Sequence, residues 1–136
     1  GTRLGAAARF LTRTLKRRSL VFWISDFADR LDPSDWRLLS ARHELTALAL
    51  RDPADEHLPK AGWVLFEDLE TGRRRLVDTG SESVRRAYAA GARARRREAE
   101  AALAAAQCPI VEIRTDRPYV PSLIQHFRSR RRRGVA

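Results

Sequence analysis

The chain has 136 residues, of which 27 are lysine or arginine and 17 are aspartate or glutamate, so its formal net charge is +10. This length builds one modest hydrophobic core rather than two, and no apolar run approaches the ~20 residues that a membrane-spanning helix needs. The single cysteine excludes an intramolecular disulfide and fits a reducing compartment. Because the sequence starts at Gly1 and contains no methionine, we expect a fragment of a longer product.

The first predicted elements are a helix and a short buried strand. Apolar residues recur at three- and four-residue spacing in residues 5–18, which predicts a helix. The unbroken apolar run 20–24 then ends abruptly in Ser25 and Asp26. A run without alternation predicts a parallel strand buried on both faces, as at the centre of an α/β sheet. Asp26 is therefore expected where open α/β sheets bind their ligands.

A second helix and a second apolar strand follow. Residues 32–43 begin with an Asp–Pro pair, which predicts a helix because Asp is a preferred N-cap and Pro is favoured at the first helical position. Residues 44–51 predict the second strand, and a further Asp–Pro pair stops it because proline cannot continue a central ladder. An acidic loop is then expected over residues 52–62.

The second half of the chain predicts a hairpin, a long helix, a strand and a final helix. Two short strands, 63–67 and 73–77, are expected to form the hairpin, with Gly72 in the turn because glycine accepts positive φ. Alanine supplies most packing residues of the long helix, so this helix should lie close to the sheet. The last three elements are predicted at about residues 79–107, 109–114 and 120–130.

The alternation of helices and strands predicts a three-layer α/β fold. We expect a mostly parallel sheet with right-handed crossovers, helices on both faces and a small β-hairpin insertion. Residues 1–129 should form this domain, and residues 130–136 a basic C-terminal tail that is frayed at its arginines. Three core strands make a thin sheet, so strands of a longer product would pair at the free edge of the first strand.

An ordered series of short motifs resembles one protein family over residues 1–128. The motifs are RRSLVFWISDF at 17–27, RHE at 42–44, RDP at 51–53, LETG at 69–72, LVDT at 76–79 and TD at 115–116. The series resembles the von Willebrand factor A-like domain of the bacterial domain-of-unknown-function family fifty-eight. Its members are often encoded beside MoxR-type AAA+ ATPases.

The resemblance implies half of a divalent-cation site. Von Willebrand A-like domains hold the cation with three loops at the carboxyl end of the sheet, and Thr2 matches the threonine of the second loop while Asp26 matches the aspartate of the third. The Asp-x-Ser-x-Ser motif of the first loop would precede residue 1. One hydroxyl and one carboxylate do not make a magnesium site alone, so Mg²⁺ is expected only in the intact parent protein. The alternative is that Asp26 caps its loop and Thr2 is an ordinary terminal residue.

Histidine and cysteine offer weaker candidates for a site. His43, His57 and His126 lack the spacing of a ligand set, and Cys108 has no partner motif for zinc. We expect Cys108 to be a buried small residue.

Two groups of charged residues are expected to be surface features. Asp52, Asp55 and Glu56 lie in the acidic loop, where solvated surface is favoured over a pair of acid–base carboxylates. Residues 93–97 are predicted to form an exposed helix face with local ion pairs.

Together these features predict a non-catalytic binding and assembly domain. By resemblance, its partner is a MoxR-type AAA+ ATPase or a client protein of that ATPase, contacted at the metal-bearing edge. A basic nucleic-acid-binding module is the alternative, because Arg128 and Arg130–Arg133 would attract phosphates, although weak non-specific anion binding by this tail is favoured. A hydrolase using Asp26 lacks an accompanying base or nucleophile. We expect a cytoplasmic location, with attachment to a membrane surface only through segments upstream of residue 1.

Overall fold

The computed structural model describes residues 4–28, 32–68 and 71–133, with side chains described up to residue 129. Helices and strands alternate through most of this length, and a hairpin interrupts the alternation. In chain order the elements are α1 Leu4–Thr14, β1 Leu20–Ser25, α2 Pro33–Arg42, β2 Glu44–Arg51, α3 Pro53–Glu56, β3 Trp63–Glu67, β4 Arg74–Asp78, α4 Glu82–Ala105, β5 Ile110–Arg114 and α5 Val120–Arg133.

In the described part of the chain the main sheet is parallel and has the order β1-β2-β5. Strand β2 is the central strand, because it pairs on one side with β1 and on the other with β5. Its residues 45–49 are buried. The first pairing runs to Ser25 opposite Ala49, and the second runs to Arg51 opposite Arg114. The carboxyl ends of all three strands therefore meet at one edge.

Helices cover both faces of this sheet. On one face α1, α2 and α4 contribute buried side chains that pack against β2, including Ala8, Trp36 and Leu103. On the other face α5 approaches β1 and β2: the Phe127 ring stacks edge-on against Phe22 with 5.7 Å between centroids. These layers, with the hairpin, confirm the predicted α/β class. The von Willebrand A-like assignment remains a prediction.

The prediction that β1 is buried on both faces is wrong. Leu20, Phe22 and Ile24 are 50%, 40% and 62% exposed, whereas Val21 and Trp23 pack against the core. The physical reason is position: β1 is an edge strand of the described sheet, and α5 covers its outer face only in part. An apolar run shows that both faces of a strand could be buried, but not that other elements cover both faces. Here the described elements leave part of the outer face of β1 exposed.

Strands β3 and β4 form the predicted hairpin as a separate antiparallel ribbon. Gly72 in the turn has φ +65°, the left-handed conformation for which glycine is favoured. The ribbon is joined to the start of α4 through Thr79, a fully buried residue.

Besides shifts of one to three residues at other element ends, three features differ from the sequence-based expectation. The acidic stretch 52–62 contains a helical turn, α3, because Asp52 caps it as Asp32 caps α2. The first helix ends at Thr14 rather than at residue 18. Helix α5 continues to Arg133, so the arginines expected in a frayed tail belong to a helix, while the division of the chain at residues 129 and 130 remains a prediction. Among the described residues, no helix combines the length and apolar character that crossing a membrane requires.

Candidate functional site

A cavity of about 470 Å³ opens at the carboxyl end of the sheet, where β1 and β2 end. The loop 26–28, the end of β2, helix α3 and the middle of α4 form its walls. This is the edge at which open α/β sheets bind ligands, and it contains Asp26. We call it the Asp26 cavity.

A tight local turn holds Asp26 at the mouth of this cavity. The Asp26 Oδ1 atom accepts a hydrogen bond from the Ala28 amide at 3.1 Å and lies 3.4 Å from the Ser25 hydroxyl. Phe27 adopts φ +55° and buries its ring against Trp36, with 5.9 Å between the ring centroids. The buried ring anchors the turn, and the Asp26 side chain remains exposed.

Arg51 fixes the backbone of the same turn without neutralising the aspartate. Its guanidinium donates a hydrogen bond of 2.7 Å to the main-chain carbonyl of Asp26, not to the carboxylate. Arg51 is not among the site residues that the sequence predicts. Its place follows from the parallel pairing of β1 with β2. Ser25 lies opposite Ala49, so Arg51 at the end of β2 comes beside the turn that holds Asp26.

Arg96 on α4 is the centre of an ion-pair network beside the cavity. It contacts Glu56 at 3.3 Å, Glu100 at 2.7 Å and, through its other terminal nitrogen, Glu112. The hydrogen bond to Glu100 is the largest cause of a raised Arg96 pKa. The predicted local ion pair is present between Arg96 and Glu100, and Arg93, Arg95 and Arg97 are exposed as predicted. Arg96 itself is only partly exposed, and its pairs with Glu56 and Glu112 also tie α4 to α3 and β5.

The acidic loop has structural contacts as well as solvated groups. Asp52 accepts hydrogen bonds from the Thr115 hydroxyl at 2.7 Å and from the Ala54 amide at 2.8 Å. These two bonds, the first more than the second, lower the Asp52 pKa. Asp52 therefore links α3 to the end of β5, while Asp55 is exposed.

The described donors near Asp26 do not form a cation site by themselves. Magnesium prefers near-octahedral oxygen coordination, and the neighbouring side chain that adds an oxygen within hydrogen-bond range of the Asp26 carboxylate is Ser25. Within residues 4–28, 32–68 and 71–133, no group of three or more His, Cys, Asp or Glu side chains is placed to hold a metal. Thr2, the other predicted ligand, lies outside the described residues.

The remaining candidates lie apart from one another. His57 lines the Asp26 cavity, His126 on α5 places Nε2 3.5 Å from the Thr46 hydroxyl, and His43 is buried at the opposite end of β2. Cys108 is buried, which raises its pKa to about 12 and keeps the thiol protonated near neutral pH. The prediction that Cys108 is a buried small residue is confirmed.

Comparison with known proteins gives a family match and uncharacterized relatives. The family model described as "Protein of unknown function DUF58" matches residues 1–98. An uncharacterized protein of Mycobacterium avium is 34% identical over 137 residues, which cover 98% of this chain and 79% of that protein. Uncharacterized proteins of Mycobacterium bovis and Mycobacterium tuberculosis are 33% identical over 139 residues, and the chain spans only 42% of their length. No solved structure gives a significant match.

Proposed function

Because the chain belongs to the DUF58 family, whose function is unknown, we propose that it is a non-catalytic protein-interaction and assembly domain. In this proposal it acts with a MoxR-type AAA+ ATPase or with a client protein of that ATPase. The contact lies at the carboxyl edge of the sheet, around Asp26. Residues beyond these 136 complete a divalent-cation site at the same edge.

The observation that carries this proposal is the side of β1 on which no described strand pairs. An edge strand offers unpaired backbone N–H and C=O groups, which proteins normally cover or protect. Here the strand also exposes Leu20, Phe22 and Ile24, and large exposed apolar patches mark interaction sites. Such an edge can pair with further polypeptide, either strands of a longer product or a partner protein, and Asp26 follows directly at the end of that strand.

The electrostatics of the Asp26 cavity support an interaction role. The Asp26 carboxylate is exposed, and the guanidinium of Arg51 bonds to the main-chain carbonyl instead. Exposed arginines of α4 line the same cavity, so both signs of charge face a partner. At protein interfaces, matching charges fix register and specificity more than raw affinity.

Complex formation with a MoxR-type ATPase of the same genome tests the proposal. The full-length gene product and the ATPase should co-migrate in analytical ultracentrifugation with ATP and Mg²⁺. Asp26→Asn should weaken the complex at least about tenfold, since about 1.4 kcal/mol of contact energy has that effect. The matched control is Glu98→Gln, which removes one exposed negative charge from α4 away from the cavity lining. Absence of a complex would contradict the ATPase as the direct partner, and equal weakening by both variants would contradict a contact at Asp26.

A basic nucleic-acid-binding module remains the alternative function. One observation favours it: α5 continues to Arg133, so the arginines from Arg128 onward follow one another along a helix. DNA binding that falls steeply with salt and depends on Arg130–Arg133 would support this alternative, because each neutralised phosphate adds to the salt dependence.

A further inference from the structure

His43 is a buried imidazole that the fold leaves without a hydrogen-bond partner. Its side chain is 4% exposed, and within the described part of the chain neither ring nitrogen has a partner. The backbone at this point is fixed, because the His43 amide donates to the Leu39 carbonyl at 2.9 Å and ends α2 immediately before β2 begins. Most buried polar atoms in native proteins have a partner, so two unpartnered nitrogens on one buried ring are unusual.

His43 lines a second cavity, of about 700 Å³, at the amino end of the parallel strands. The end of α1, the turn that leads into β1 and the end of α2 enclose this cavity, which we call the basic cavity. The hydrogen bond from the Glu44 amide to the Ser19 carbonyl, 2.8 Å long, holds these segments together. Five basic residues line the cavity: Arg13, Lys16, Arg17, Arg18 and Arg42.

No carboxylate lines the basic cavity. In the ranges that the structure describes, none of its five basic side chains forms an ion pair, in contrast to Arg96 at the other end of the sheet. Like charges that share a concave site repel one another and attract anions. The cavity therefore combines an uncompensated positive charge with a buried group that can donate a hydrogen bond.

We propose that the basic cavity binds a phosphate-type oxyanion, specifically a free diphosphate or polyphosphate. A neutral imidazole has one N–H donor, which would bond to a phosphate oxygen, and Arg17 and Arg42 would clamp the anion from two segments by charge-assisted hydrogen bonds. The volume exceeds that of a single phosphate, and five cations match a multiply charged ligand. The lining has no Phe, Tyr or Trp side chain on which a base would stack, which favours a free polyphosphate over nucleic acid. This site lies at the opposite end of the strands from Asp26 and does not depend on the proposed function.

Titration of the 136-residue chain with pyrophosphate, at fixed pH and ionic strength, tests this site. Long-range ¹H–¹⁵N spectra report the histidine side chains separately, so the ring nitrogens of His43 should shift in a saturable way while those of His57 and His126 do not. Arg17→Gln and Arg42→Gln, both exposed positions, should each weaken binding at least fivefold. The matched control is Arg75→Gln, which removes an exposed arginine from the hairpin strand β4 and should leave the affinity unchanged.

Three results would overturn the proposal. Shifts that do not saturate, or saturable binding that leaves the His43 ring unchanged, would show that the cavity is not the site. Equal weakening by Arg75→Gln would show attraction to the overall charge of the chain. A single-stranded oligonucleotide that displaces pyrophosphate at equal or lower phosphate concentration would show a nucleic-acid site instead, whereas displacement only at tenfold higher concentration agrees with the proposal.

Discussion

Trp36→Ala should lower the free energy of unfolding by about 3–5 kcal/mol, the cost typical of removing a buried aromatic side chain. Trp36 is 0% exposed and joins α2 to the sheet through ring contacts with Trp23 and Phe27, whose centroids lie 4.6 Å and 5.9 Å away. Urea unfolding followed by far-ultraviolet circular dichroism measures the change. Because Phe27 anchors the Asp26 turn against this ring, the variant should also loosen the candidate site.

Trp63 provides the matched control for this substitution. It is 69% exposed on the hairpin, so Trp63→Ala should change the free energy of unfolding by no more than about 0.5 kcal/mol. If the two alanine variants were equally destabilised, the core described for α1, α2 and β2 would be wrong.

Thr79→Val should lower the free energy of unfolding by about 1–3 kcal/mol, the cost of leaving a polar group without its partner. The fully buried Thr79 hydroxyl donates to the Gly62 carbonyl at 2.8 Å and accepts from the Ala61 amide at 3.1 Å. Valine keeps the shape and removes both bonds. Hydrogen exchange should therefore accelerate most in the β3–β4 ribbon, which Thr79 joins to α4.

Thr14→Val is the control for the loss of a threonine hydroxyl. Thr14 is exposed at the end of α1, so the substitution should be nearly neutral. If amide hydrogen exchange in strands β3 and β4 were unchanged in the Thr79→Val variant, the Thr79 hydroxyl would not stabilise the hairpin.

Local signals in the sequence predict the strands of the main sheet closely. The apolar run after residue 43 gives β2 with the observed bounds Glu44–Arg51, because its Asp–Pro stop acts within a few residues. The same kind of pair also starts a helix, as it does at Asp32, and this second effect places α3 after Asp52 within the stretch predicted to be a loop.

Features that depend on distant partners were not predictable from the sequence alone. In the sequence, Arg96 is one of several arginines that are predicted to be exposed. Only the fold brings Glu56 and Glu112 beside it, from 40 and 16 residues away in the chain. The exposure of Ile24 likewise depends on which elements cover the outer face of β1, and the apolar run does not contain that information. Asp26 was predictable as the residue at the carboxyl end of β1, but its neighbours were not.

Isothermal titration calorimetry of the full-length gene product with Mg²⁺ or Mn²⁺ tests the central claim most directly. If residues beyond these 136 complete a cation site at the carboxyl edge of the sheet, Mg²⁺ or Mn²⁺ should bind with about one ion per chain. Asp26→Asn should abolish the heat of binding, while the control Glu98→Gln should retain it. No heat from the full-length protein, or full binding in Asp26→Asn, would contradict the claim that Asp26 belongs to a divalent-cation site at the interaction edge.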